Sequence, residues 1–180
     1  MAGNPRLSLE TVLRELELEP LPVEGGYFAV SYRSPDTLTC GELAERYSSD
    51  RPVGGAIYLV ETREQFSAMH RLKTDELYFH HYGDPLEILL LGNEGAGEIR
   101  LLGSDLTAGQ MPQIVAPAGQ WQGSRPLPGG EFGFTLASTA MAPAYMDDDV
   151  EFAERDELMA AYPGFGSMIE ALTRRAPHNC

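Results

Sequence analysis

Residues 70–76, HRLKTDE, place a histidine and a glutamate on two successive predicted strands, with a tight turn between them. A hairpin of this kind lets His70 and Glu76 point into the same interior, because side chains alternate between the two faces of a strand. Three of the four histidines of the chain fall between positions 70 and 81. We therefore expect the chemistry of the protein to be centred on His70 and Glu76.

Short strands and turns continue on both sides of this hairpin, from residue 54 to about residue 139. Many short strands at short, even spacing are typical of an antiparallel sandwich or barrel, and not of a parallel sheet with crossover helices. Clusters of Gly, Pro and Asp separate the strands, as at residues 83–85 and 126–130. The predicted strands are 27–32, 56–61, 65–72, 76–81, 86–91, 98–102, 113–116, 120–123 and 132–138.

Helices are predicted on both sides of the strands. Residues 8–18 have the apolar spacing of an amphipathic helix, which Pro20 ends. A short helix is predicted over 40–47, a longer one over 152–162, and a final amphipathic turn over 165–172. The run Asp147–Asp149 is interpreted as a solvated cap at the N-terminus of the longer helix. We expect a single domain over residues 1–180, with a core barrel at about 54–140.

Composition excludes several classes of partner. The 180-residue chain has 13 Lys and Arg against 27 Asp and Glu, a formal net charge of -14. An acidic surface repels nucleic acid and anionic membranes. No apolar run is long enough to span a bilayer, and the first residues lack the pattern of a signal peptide. With only Cys40 and Cys180, no disulfide framework is expected, and a cytoplasmic location is predicted.

Residues 70–83 resemble the first signature motif of the cupin superfamily. That motif has two histidines one residue apart, then a glutamate, then a glycine. His70 matches the first histidine, Glu76 the glutamate and Gly83 the glycine, whereas Leu72 occupies the position of the second histidine. Residues 109–122 resemble the second signature motif of the same superfamily. There, Pro117 and Gly119 match, and Gln122 occupies the position of a histidine.

The resemblance implies that two of the four usual cupin metal ligands are missing. A leucine side chain cannot bind a metal, and a glutamine offers only a weakly ligating carbonyl oxygen. We therefore predict no metal ligands and no cofactor. A sparse divalent-metal site built from His70, Glu76, Gln122 and His80 remains an alternative.

A longer resemblance, over roughly residues 18–163, is to the uncharacterised cupin branch called Cupin_5. It implies a mostly β protein with a single cupin jelly-roll β-barrel and flanking N- and C-terminal helices. The matching segments are EGGYF (24–28), YRS (32–34), AIYL (56–59), FSAMHRL (66–72), DELY (75–78), GDPL (83–86), GQ (109–110) and VAPAGQWQ (115–122).

Strand alternation and this resemblance together give the candidate site. If no bulge intervenes, Ala68 and Phe66 share the inward face of His70, and Tyr78 and His80 share that of Glu76. The predicted catalytic residues are His70, Glu76 and Tyr78, the last as a proton donor. The predicted ligand-binding residues are Glu24, Arg33, Ser67, His80, Gln110, Trp121 and Gln122.

Three functions remain open at this point. The first is a metal-independent isomerase or epimerase of a carbohydrate or nucleotide-linked sugar, with His70 as base; deoxysugar epimerases within the cupins are similar in using a His and a Tyr without metal. The second is a non-catalytic module that binds a small polar metabolite. The third is a metal-dependent cupin. Pairing through barrel edges, common in cupins, also implies a homodimer.

Overall fold

Strands dominate the structure, a computed structural model that describes residues 6–174. The mostly β class is therefore confirmed. Most predicted strands lie within a few residues of their observed bounds, and Leu86–Leu91 and Gln113–Ala116 match them. The strands are β1 Glu19–Pro20, β2 Tyr27–Arg33, β3 Thr37–Leu38, β4 Arg51–Pro52, β5 Gly55–Thr62, β6 Ser67–Leu72, β7 Glu76–Gly83, β8 Leu86–Leu91, β9 Gly97–Leu102, β10 Gln113–Ala116, β11 Trp121–Pro126, β12 Phe134–Met141 and β13 Val150–Phe152.

Two antiparallel sheets face each other. One has six strands in the order β1-β2-β5-β12-β7-β10, and the other has five in the order β13-β6-β11-β8-β9. Between them lies a core of buried side chains such as Leu59 and Ala137 from the first sheet and Ile88 and Leu90 from the second. Apart from one isolated bridge, between Leu102 and Met111, no ladder joins the two sheets within residues 6–174. The prediction of a closed barrel is wrong in this respect.

A register shift between β6 and β11 changes which side chains share a face. Gln122 pairs with His70, whereas Ser124 pairs with Ser67, so that two residues of β6, Ala68 and Met69, stand against one of β11, Gly123. Such a bulge re-aims side chains. As a result Ser67, and not Ala68, lies on the face of His70, and the alternation predicted without a bulge is wrong here. Phe66 instead packs with the C-terminal helices.

Three short helices lie before and after the strands: α1 Leu9–Glu15, α2 Arg155–Ala161 and α3 Gly166–Ala171. Ser8 caps α1, since its hydroxyl accepts a hydrogen bond from the Thr11 amide. Helices α2 and α3 bury Leu158 and Ile169 against the outer face of the five-stranded sheet. No helix in this part of the chain has both the length and the apolar character needed to span a membrane.

Two helix predictions need correction. The segment predicted as a helix over 40–47 has only a single 3-10 turn, Cys40–Glu42. The run Asp147–Asp149 is also a 3-10 turn and leads into strand β13, so it does not cap the helix that starts at Arg155. Asp149 is buried in an ion pair with Arg51, and it is not part of a solvated face. Cys180 and the tail histidine, His178, lie outside the described residues.

Candidate functional site

A cavity of about 170 Å³ opens between the strands, next to His70 and Glu76. Its walls are largely apolar, with side chains such as Phe28, Ile57 and Met141. The polar residues at its inner end are buried, whereas those at its mouth are exposed. The inner polar residues are His70, Glu76, Tyr78 and Thr139; Glu24 is half-buried, and the residues at the mouth are Tyr32, Arg33 and Tyr145.

His70 is held in one tautomer by its neighbours. Its Nδ1 lies 2.8 Å from the carbonyl oxygen of Ala68, which can only accept, so Nδ1 carries the proton. In the neutral ring Nε2 is then the basic nitrogen, and it accepts a hydrogen bond from the side-chain amide of Gln122 at 2.9 Å. The Ala68 carbonyl that accepts this hydrogen bond lies in the bulged part of β6.

Glu76 accepts hydrogen bonds from groups of the same network. The Gln122 amide donates to its Oε2 at 2.6 Å, and the Tyr78 hydroxyl donates to the same atom at 3.0 Å. Burial raises the pKa of Glu76, and the charge of Glu24 raises it further. Burial also raises the pKa of Tyr78 well above 10, so its phenol stays protonated.

A second buried carboxylate, Glu61, was missed by the sequence reasoning. Burial raises its pKa to about 7, although it accepts hydrogen bonds from the Ser124 hydroxyl at 2.6 Å and the Ser67 amide at 3.2 Å. The Ser67 hydroxyl in turn donates to Glu24 at 2.8 Å. The sequence does contain a signal for this residue, because Glu61 directly follows the apolar pair Leu59 and Val60 in a predicted strand. A carboxylate is rarely fully buried unless it has a partner.

The structure brings seven of the ten predicted site residues to the cavity or to its polar network: His70, Glu76, Tyr78, Glu24, Arg33, Ser67 and Gln122. Arg33 lies at the mouth, with its guanidinium 3.3 Å from the Met146 sulfur.

The other three predicted ligand-binding residues do not line this cavity. His80 is half-buried, and its Nε2 lies 3.3 Å from the carbonyl oxygen of Asp84. The side-chain oxygen of Gln110 accepts a hydrogen bond from the amide of Asp105. Trp121 packs with the C-terminal helices beneath the guanidinium of Arg71. The side chains of His80, Gln110 and Trp121 are engaged in these contacts and do not belong to the site at this cavity.

Comparison with known proteins decides the family. The family model Cupin_5, described as Cupin superfamily (DUF985), matches residues 10–153. The chain is a DUF985 cupin. This confirms the resemblance seen in the sequence. No curated protein matches the chain.

Solved structures agree with this assignment. A protein from Shewanella oneidensis is 32% identical to this cupin, with a TM-score of 0.80, and the match covers 95% of this chain and 100% of that one. A hypothetical protein from Leishmania major is 27% identical, with a TM-score of 0.83 over 94% and 100% of the two chains. An oxalate decarboxylase from Bacillus subtilis is 13% identical, with a TM-score of 0.50, over 98% of this chain and 41% of its own. That last likeness shows the fold alone.

The donor set of this cupin does not fit a resident divalent metal. Within residues 6–174, no group of three or more His, Cys, Asp or Glu side chains is placed to hold a metal ion. Leu72 lines the cavity at a position where cupins have a ligating histidine, and it offers only methyl groups. The amide of Gln122 is engaged by both His70 and Glu76. We therefore derive no chemical step through a metal.

Proposed function

We propose that this cupin binds a small polar metabolite in the cavity beside His70 and Glu76. The observation that supports it is the combination of apolar walls with a polar inner end, because ligand sites are mostly apolar pockets with a few precisely placed polar groups. Hydrogen bonds between His70, Gln122, Glu76 and Tyr78 make that inner end rigid before any ligand arrives. A ligand then binds without the cost of ordering these side chains.

The second candidate is an isomerase or epimerase that acts on a carbohydrate or nucleotide-linked sugar without a metal. It is supported by the fixed tautomer of His70, whose Nε2 is the basic nitrogen and faces away from the Ala68 carbonyl. In this reaction Nε2 removes a proton from a carbon next to a carbonyl group, once the Gln122 amide has rotated away. The protonated Tyr78 returns a proton to that carbon, and the proton on His70 restores the phenol through Glu76.

One feature favours binding without turnover. Nε2 of His70 already accepts a hydrogen bond from Gln122, and Tyr78 already donates to Glu76. Neither the base nor the acid is free until this network opens. For this reason binding is our first proposal and isomerisation our second.

Two measurements separate these proposals. A thermal-shift screen with sugars and nucleotide sugars should raise the unfolding temperature for at least one ligand, since a ligand that binds only the folded state stabilises it. The same ligand in heavy water should then be followed for exchange of a carbon-bound proton. His70→Ala and Tyr78→Phe should abolish that exchange, while His81→Gln, at an exposed histidine outside the cavity, should leave it unchanged.

Two results would reject the isomerase, and a third would reject the binding of a carbohydrate or nucleotide sugar. Stabilisation without exchange would remove the isomerase and keep the binding module. Equal exchange in the wild type and His70→Ala would also remove the isomerase. Absence of stabilisation by every ligand of the screen would contradict the binding of a carbohydrate or nucleotide sugar.

We also propose a homodimer. Strand β10 is a short, four-residue edge of the six-stranded sheet, and an exposed edge is usually covered by another element or chain. Sedimentation equilibrium should give twice the mass of 19.7 kDa. A monomer mass would overturn this proposal.

A further inference from the structure

The cavity contains more negative than positive charge. The carboxylates of Glu24 and Glu76 line it, and a third, that of Glu61, lies behind Ser67. Among the described lining residues, Arg33 is the one Lys or Arg, and it is exposed at the mouth. The hydrogen bonds of His70 fit a neutral ring. In the described structure the nearest basic groups are His70 and Arg174, whose charges act on these carboxylates, but neither forms an ion pair with Glu24, Glu61 or Glu76.

Glu24 is the carboxylate that retains room for a ligand. Glu76 already accepts hydrogen bonds from the side chains of Gln122 and Tyr78, both at the same oxygen. Glu24, in contrast, accepts one side-chain hydrogen bond in the described structure, from Ser67, whereas an ionised carboxylate has about four acceptor positions.

The backbone around Glu24 is fixed although its carboxylate is not saturated. The guanidinium of Arg174 donates hydrogen bonds to the backbone carbonyl oxygens of Val23, Glu24 and Phe66. Gly25 has φ +98, and a Cβ at this position would collide with the backbone carbonyl oxygen of Phe66, so only glycine fits the turn. The turn thus presents the Glu24 side chain to the cavity in a fixed position.

Aromatic side chains complete the lining. Phe28, Tyr32, Tyr78 and Tyr145 all line the cavity, together with the carboxylates. The faces of aromatic rings attract cations, and sites for organic ammonium groups commonly combine aromatic rings with carboxylates. An anion gains nothing from either kind of group.

The carboxylates also repel one another. The charge of Glu24 raises the pKa of Glu61, Glu76, Tyr78 and Tyr145, in each case in addition to the effect of burial. A cation bound between these groups would relieve that repulsion. The net charge of -14 also draws cations toward the protein and keeps anions away.

We infer that the cavity selects a ligand that carries an organic ammonium group, and that Glu24 is the carboxylate that pairs with it. This inference rests on the proposed binding function and names the class of ligand. Arg33, at the mouth, is then left for an uncharged or anionic outer part of the same ligand.

The test uses three probes of nearly equal size: ethanolamine, ethylene glycol and glycolate, which are cationic, neutral and anionic at pH 7. Each is titrated into isotope-labelled wild-type protein, and the NMR signals of the lining residues Thr139 and Met141 are followed. Ethanolamine should bind about tenfold more tightly than ethylene glycol, because a single unscreened charge pair near a protein surface is worth at least that factor. Glycolate should shift no signal of the cavity.

Matched variants assign the effect to Glu24. Glu24→Gln keeps the size of the side chain and a hydrogen bond with Ser67, and it should remove the preference for ethanolamine. Glu45→Gln neutralises an exposed turn residue outside the cavity and should preserve that preference.

Different results contradict the ammonium site and the proposed binding function. If ethanolamine and ethylene glycol bind equally, or if Glu24→Gln keeps the preference, the inference is overturned while binding of polar ligands stands. If no probe shifts a cavity signal at any concentration, the ammonium site is overturned as well, and the metabolite screen alone then decides the binding function.

Discussion

Two buried charged regions of this protein differ in how their charges are balanced. In the first, Arg51 and Asp149 are both fully buried, and their charged atoms lie 2.6 Å apart. The Asp149 carboxylate also accepts a hydrogen bond from the Met146 amide, and the Arg51 guanidinium lies over the ring of Tyr47. Opposite charges cancel here, so this pair fixes the loop before β13 to strand β4.

In the second region, beside the cavity, the hydrogen-bond donors that the described residues offer to the buried carboxylates of Glu61 and Glu76 are all uncharged. These donors are hydroxyl and amide groups, such as those of Ser124 and Gln122. Burial raises the pKa of both carboxyl groups, which means that the fold disfavours their charged forms. The first region thus pairs its buried charges within the fold. The second leaves two buried carboxyl groups without an ion-pair partner in the described structure, beside Glu24, which lines the cavity.

The largest effect is expected where a buried charge loses its partner. Asp149→Ala leaves the Arg51 guanidinium buried without a counter-charge, which should lower the free energy of unfolding by about 3–5 kcal/mol. Urea denaturation measures this loss. Asp148→Asn, at the exposed neighbouring residue, should leave the midpoint nearly unchanged. A small loss for Asp149→Ala, equal to that of Asp148→Asn, would show that the two regions do not differ as described.

A second effect concerns Glu61 and pH. Its folded pKa of about 7 lies above the ordinary 4.5, so the folded protein binds this proton more tightly than the unfolded chain does. The resulting stabilisation is fully present below about pH 4.5 and is lost as the pH rises through about 7. Relative to Glu61→Gln, the wild type should therefore lose about 3 kcal/mol of unfolding free energy across this range.

Denaturation series at several pH values measure this difference. Glu64→Gln, at an exposed carboxylate in the turn between β5 and β6, serves as the control and should follow the wild type. A difference between the wild type and Glu61→Gln that stays constant from pH 4 to pH 8 would contradict a raised pKa.

The smallest effect is expected for an exposed pair. Arg71 and Glu151 lie 2.7 Å apart, but both side chains are largely exposed to water. A double-mutant cycle with Arg71→Ala and Glu151→Ala should give a coupling of about 0.5 kcal/mol, and salt should weaken it. A coupling as large as the loss in Asp149→Ala would mean that burial is not what separates the strong pair from the weak one.

Local signals made much of the fold predictable. The turn at residues 83–85 and the apolar run that follows it predicted β8 with its observed bounds. The short turn at 73–75 placed His70 and Glu76 on successive strands, as predicted, but β6 and β7 belong to different sheets, so the predicted hairpin is wrong. The bulge in β6 could not be predicted, because it depends on the register with β11, some 50 residues later.

The candidate site was predictable only in part, for the same reason. His70 and Glu76 were found because they lie close together in the sequence. Ser124, the partner of Glu61, is 63 residues away, and Arg51, the partner of Asp149, is 98 residues away. The run Asp147–Asp149 resembles a helix cap when only nearby residues are considered, because Arg51, which pairs with Asp149, is far away in the sequence.

The contrast between the two buried regions is tested most directly by titrating the carboxyl carbons of Glu61 and Glu76 by NMR in protein labelled at glutamate. Both groups should titrate above 4.5, and Glu61 should titrate near 7. Glu61→Gln and Glu76→Gln assign the two signals. If both carboxyl groups titrate at or below 4.5, the cavity has no unbalanced buried carboxylates, and the contrast with the Arg51–Asp149 pair is contradicted.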